Sequence, residues 1–211
     1  MMRFLKVLGL VVVVVIVSGC GAHYVLDGYI DQSQIVSSND SDAIKVYVGE
    51  YRFNDEPGHK FRIGHRSAEG EISPWIKQAI KKEFGKVNFV DDKAHSDVAI
   101  ETKRVEFNAG WNGIHTRITS NVNNKMFIVD LYARRPIKFT FNLSDSREIY
   151  ILRMERTTEF MAKLLKQHIV KRNGAWIVDE LPYEVRATIL VDHDLNVLEE
   201  PYDIEVKKAE D

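Results

Sequence analysis

Apolar and polar residues alternate with period two along much of this chain, and that pattern constrains its fold more than any other feature. In AIKVYVGEYRF, residues 43–53, Ile44, Val46 and Val48 share one side while Lys45 and Tyr47 share the other. Successive side chains of a strand point to opposite faces, so each such run predicts a half-buried strand. The pattern returns in KVNFVDD (86–92), SDVAIETKRVEFN (96–108), KMFIVDLYARR (125–135) and IKFTFNL (137–143). SDSR (144–147) reads as a turn and EIYILRME (148–155) as the return strand of a hairpin. YEVRATILVD (183–192) and YDIEVKK (202–208) are two further strand-like runs, and the tail KKAED is expected to be disordered.

Two stretches break into helical periodicity. Ser73-Pro74 reads as an N-cap followed by a first-turn proline, and Trp75, Ile76, Ala79, Ile80 and Phe84 form an apolar stripe. Gly85 is placed to end that helix. In TTEFMAKLLKQHIVKRNG (157–174), Thr157 or Thr158 is the expected cap. Met161, Leu164, Leu165, His168 and Ile169 form the stripe there, and Asn173-Gly174 is the expected stop. Strands outnumber helices and the two helices are separated by a meander. The expected fold is therefore α+β, a two-layer domain with a mainly antiparallel sheet and two main helices packed on one face.

The first twenty residues follow a different rule. Arg3 and Lys6 precede an apolar run from Val7 to Val17, broken only by Gly9. A transmembrane helix needs about 20 apolar residues, and this run stops short of that at Ser18-Gly19-Cys20. A short basic start followed by about ten apolar residues fits a secretory signal. Val17-Ser18-Gly19-Cys20 resembles the bacterial lipobox: a branched residue, two small residues and a cysteine. That resemblance implies cleavage between Gly19 and Cys20 and lipidation of the Cys20 thiol. Gly21, where an aspartate would retain the protein at the inner membrane, implies the outer membrane in a host that has two.

Cys20 is the only cysteine, so once it is lipidated the domain has no disulfide, thiolate metal site or cysteine nucleophile. The net charge of −2 with no basic stripe argues against nucleic acid. The expected organisation is a signal peptide over 1–19, a lipidated cysteine and flexible tether over 20–42, an α+β domain over 43–174, and a C-terminal β extension and tail over 175–211. SQIVSSNDSD (33–42) carries the tether's polar composition. Tyr24, Val25, Leu26, Tyr29 and Ile30 are more apolar than a linker requires. They either dock on the domain, which is preferred, or sit at the membrane surface.

Over residues 44–172 the chain resembles the YajG-type small periplasmic lipoproteins. IKVYVGEY, PWIKQAIKKEFGKVNFVDDKAHSDVAIETKRVEF and TTEFMAKLLKQHI carry the resemblance. It implies an accessory role in envelope assemblies and no catalytic residues. NAGWNGIHTRITSNVNNK (108–125) departs from the pattern as an insertion, as does the segment after Gly174.

Little in the rest of the chain points to catalysis. It has no G-x-S-x-G, no S-x-x-K and no Gly-rich phosphate loop. His59 and His65 lie in the Gly-rich stretch NDEPGHKFRIGHRSAEGE (54–71), which reads as a loop and has no known ligand spacing. His168 falls in a helix stripe and His193 in an Asp-flanked turn, so no metal site and no cofactor are expected. Trp111 stands between glycines with Asn112, His115 and Arg117 close by, the residue types found in binding hot spots. The expected function is a non-enzymatic, lipid-anchored periplasmic module that binds a protein partner in a cell-envelope assembly. The alternative is a small-ligand or glycan binder that uses the Trp111 loop.

Overall fold

The structure is a computed structural model that describes residues 22–38, 40–54, 66–110, 113–134, 145–191 and 197–208. The signal, Gly19, Cys20, His59, His65, Trp111, Asn112, His193 and the run 137–143 lie outside the described residues. The first half of the chain forms β1 (Ala22–Val25), β2 (Ile44–Val48), β3 (Arg52–Asn54), β4 (Arg66–Glu71), α1 (Ser73–Phe84), β5 (Val87–Phe89) and β6 (Val98–Gly110). The second half forms β7 (Gly113–Val122), β8 (Lys125–Arg134), α2 (Asp145–His168), β9 (Ile169–Arg172), β10 (Ala175–Val178), β11 (Glu184–Val191) and β12 (Val197–Lys207). No helix of the described residues is long and apolar enough to cross a membrane.

The α+β expectation holds: two helices accompany a main sheet of order β12-β11-β8-β7-β6-β2-β5, a small sheet β1-β4-β3 and the hairpin β9-β10. The main sheet is mixed: three of its strand pairings are antiparallel and three parallel, with most of the paired residues in the antiparallel ones. β6, β7 and β8 form an antiparallel meander, and β11 pairs antiparallel with β12. β2 is parallel to both β5 and β6, and β11 is parallel to β8. Parallel neighbours need a long crossover, usually a helix. The chain passes through α1 between β2 and β5 and through α2 between β8 and β11.

The core forms where the two periodicities meet. Trp75, Ile76, Ala79 and Ile80 of α1 are buried, as their stripe predicts. On β7 the buried residues are Thr116, Ile118, Ser120 and Val122, and on β8 they include Phe127, Val129, Leu131 and Ala133. Burying each large aliphatic or aromatic side chain among them contributes roughly 1.5–3 kcal/mol.

Several local expectations are corrected. EIYILRME is not a return strand, because Asp145–His168 is one continuous helix. Tyr150, Ile151, Met154, Thr157, Thr158, Met161, Leu164 and Leu165 are all buried, which extends the helical spacing two turns further toward the N-terminus. Thr157 and Thr158 are thus mid-helix rather than caps, and the Thr158 hydroxyl donates back to the Met154 carbonyl at 2.8 Å. The helix stops at His168. Asn173 (φ 52°) and Gly174 (φ 84°) instead turn the β9–β10 hairpin, the turn for which Asn-Gly is the strongest signal.

Ser73 does not cap α1. Its hydroxyl donates to the Gly49 carbonyl (3.2 Å) and accepts from the Tyr51 amide (3.3 Å). Gly85 does end the helix at φ +72°, its amide bonded to the Lys81 carbonyl.

Part of the supposed Gly-rich loop is strand β4. Its Gly70 lets Leu26 and Phe53 pack closely, and a Cβ there would lie 3.2 Å from that of Leu26. NAGWNGIHTRITSNVNNK is not an irregular insertion, since it supplies the end of β6, all of β7 and the Asn123-Asn124 turn.

Both ends of the chain differ from the expected boundaries. Residues 22–38, expected as tether, are packed on the domain: Leu26 and Ile30 are buried and Tyr29 stacks on Trp75 at 5.3 Å. The Ser38 amide donates to the Val87 carbonyl at 2.6 Å. Beyond Gly174, β11 sits inside the main sheet between β12 and β8, so no boundary divides a 43–174 domain from an extension. Lys207, expected in a disordered tail, belongs to β12.

Candidate interaction surface

The candidate surface begins with the alternation of β7. Thr116, Ile118 and Ser120 point into the core, so His115, Arg117 and Thr119 point to the opposite face. Pairing aligns Arg117 with Glu106 of β6 and Asp130 of β8. Asp130 aligns with Arg186 of β11, which aligns with Glu205 of β12. One row across five strands therefore reads Glu106, Arg117, Asp130, Arg186, Glu205, with charges alternating in sign. Opposite charges directly across a strand pair are favourable, and a one-residue slip would turn them into the core, so the row also specifies register.

Glu184 collects this network. It is 3% exposed although it lies on the charged face. Arg117 Nη1 (3.1 Å), Arg186 Nε (2.9 Å) and Lys207 Nζ (3.1 Å) all reach its carboxylate. Burial works against its charge, but hydrogen bonds from Lys207 and Arg186 and the charge of Arg117 outweigh it and lower its pKa. Asp130 receives His115 Nδ1 at 3.1 Å, with Arg117 and Arg186 each at 3.8 Å. The His115 ring also stacks on Tyr132 at 4.4 Å.

The two described residues of the predicted Trp111 cluster are thus brought together through Asp130. They lie on strand β7 rather than in a loop. Trp111 and Asn112 lie outside the described residues.

Sequence reasoning missed the acidic half of the network and the residue behind it. Arg153 is 2% exposed. Its guanidinium lies 5.5 Å from the Phe107 ring centre and 5.6 Å from that of Tyr150. Its Nη2 donates to the His115 carbonyl at 2.8 Å, so α2 clamps the backbone of β7 from the core side. The signal for Arg153 was the helical spacing of its neighbours, which short alternating runs obscured. Asp130 and Glu184 carried no signal, because only pairing across strands places them beside cations.

The network meets solvent at β12. Among the described residues β12 pairs only with β11. Ile204 is 51% and Val206 57% exposed. The Lys207 carbonyl accepts from the Tyr183 amide (3.0 Å), so Lys207 turns its backbone groups inward. Alternation then turns those of Val206 and Lys208 toward the open edge. Pro201 and the positive φ of Asp203 (52°) interrupt the upper part of the same edge.

Elsewhere a cleft of about 250 Å³ runs between Ile35, α1 and α2, lined by Trp75, Lys82 and Glu159, and Lys82 pairs with Glu159 within it. His168 bonds the Asp179 carbonyl through Nδ1 at 3.2 Å. Among the described residues no group of three or more His, Cys, Asp or Glu could hold a metal ion.

In comparisons with known proteins, no family model, no curated protein and no solved structure matches the chain.

Proposed function

We propose that this chain is a non-enzymatic, lipid-anchored periplasmic module, held through Cys20 at the outer membrane, that binds a protein partner of a cell-envelope assembly. The single observation that carries the partner-binding part is the open edge of β12, with Ile204 and Val206 exposed beside Glu205 and Lys207. An unpaired edge offers backbone donors and acceptors to an incoming strand, and flanking side chains supply selectivity. The charged row behind that edge holds it in register. The YajG-type resemblance and the lipobox support the accessory role and the anchor. Two-layer packing, with α1 and α2 over one sheet face, belongs to the same reading: the helices touch one another, α2 touches β7 and β8, and the opposite face is charged.

Crosslinking in native membranes tests this. Wild type, Val206→Lys and Trp111→Ala are compared. A discrete envelope partner retained by Trp111→Ala and lost by Val206→Lys is the expected result, whereas no discrete protein partner for the wild type would sink the proposal. Loss in Trp111→Ala alone moves the protein interface to the Trp111 segment. No protein partner for any form points to the second reading, a small-ligand or glycan binder, which the stacked His115–Tyr132 pair favours.

A further inference from the structure

We infer that the domain lies flush against the bilayer, with Val25 and Tyr29 at headgroup level and the β7–β8 turn at Asn123-Asn124 directed away from the membrane. This rests on the lipidation of Cys20 proposed above. The inference follows from where ordered chain begins. A free tether over residues 20–42 would let the domain wander about 25 Å from its anchor. Strand β1 instead starts at Ala22 and pairs with β4 from Ala22↔Arg66 to Val25↔Glu69. Only Gly21 separates Ala22 from Cys20, which leaves about 7 Å of fully extended chain. The following residues are fastened too, by Leu26, by the Tyr29–Trp75 stack and by the Ser38–Val87 bond. The anchor therefore gives no reach.

The surface beside that anchor is apolar where a lipid interface would meet it. Val25 is 46% and Tyr29 52% exposed, within nine residues of Cys20 in sequence. Tyrosine suits this level, since its ring is apolar and its hydroxyl is wet. The neighbouring charges are already paired: Arg52 bridges Asp27 (2.6 Å) and Glu69 (3.1 Å).

The orientation comes from strand direction. β6, β8 and β11 run the same way, since β6–β7 and β7–β8 are antiparallel and β8–β11 is parallel. β1 sits where β6 ends, because Tyr24 contacts Tyr150 (5.7 Å) and Tyr150 contacts Phe107 (5.0 Å). β6 begins at the opposite end of the sheet, where Ile100 pairs with Val122 beside the Asn123-Asn124 turn. A bilayer at the β1 end leaves that turn facing outward.

The test uses the lipidated protein in vesicles of phosphatidylethanolamine and phosphatidylglycerol. Cys20 is the only native cysteine and its thiol is consumed by the lipid, so Val25→Cys and Lys125→Cys, the latter beside the Asn123-Asn124 turn, each accept one fluorophore. Nitroxide-headgroup lipid is expected to quench the label at 25 several-fold more than that at 125. Inserting about twenty Gly/Ser residues after Gly21 is expected to abolish the difference. Equal quenching at both positions with Cys20 lipidated by peptide mass overturns the inference and leaves the anchor standing, as does a difference that survives the insertion. An unmodified Cys20 overturns the anchor itself and the inference with it.

Discussion

The two ends of this chain are treated in opposite ways. Residues 22–38 fall within the expected tether but carry Tyr24, Val25, Leu26, Tyr29 and Ile30 among polar neighbours, and Leu26 is 1% exposed. Strand β12 has the clean pattern of a sheet strand, yet leaves Val206 57% exposed. Composition sets what a segment is able to bury. Position sets what it does bury: the N-terminal segment lands on Gly70, Phe53 and Trp75, whereas β12 lands at an edge. The contrast separates a contact that holds the fold from one left open for use.

Four substitutions probe that contrast, in decreasing order of expected effect on stability. Leu26→Ala empties a packed site and is expected to cost about 3 kcal/mol in urea unfolding. A loss near zero would mean the segment is laid on the domain without supporting it.

Glu184→Gln leaves Arg117, Arg186 and Lys207 around a neutral group and is expected to cost about 2 kcal/mol at neutral pH. The folded-state pKa of Glu184 lies below the ordinary 4.5. Its contribution is therefore complete above pH 4.5 and disappears as pH falls through the folded value. The gap between wild type and Glu184→Gln should close on acidification, and a gap that is constant with pH would break the account of the network.

Tyr29→Ala removes the stack on Trp75, worth about 1 kcal/mol or less because the ring is half exposed. Hydrogen exchange should then rise over residues 26–38 before it rises in the main sheet.

Ile204→Lys should change stability by no more than about 0.5 kcal/mol, since the side chain is half exposed. A larger loss would show that the edge supports the fold and is not reserved for a partner.

Much of the fold was legible from local pattern. β2, β5, β6, β8, β11 and α1 follow from short-range periodicity, because each buries a face that its own sequence marks. Where two patterns compete, locality fails. Glu148 to Glu155 alternates well enough to mimic a strand, but Tyr150, Ile151 and Met154 also continue the stripe of α2, and the helix forms. Of the candidate site, His115 and Arg117 could be named because their residue types stand out beside Trp111. Asp130, Glu184 and Arg186 could not, since they are remote in sequence and meet only through register.

The spacing of apolar residues along the chain was enough to establish an α+β class, the helix between Ser73 and Gly85 and the strand-rich remainder, because secondary structure answers to neighbours a few residues apart. Tertiary structure alone decided which strands became parallel, that the fastening expected for Tyr24 to Ile30 extends to Ser38, and that β12 has an open side among the described residues. Those outcomes depend on contacts between segments distant in sequence, such as Leu26 with Gly70 and Glu184 with Lys207, and no local pattern encodes the partner of a contact.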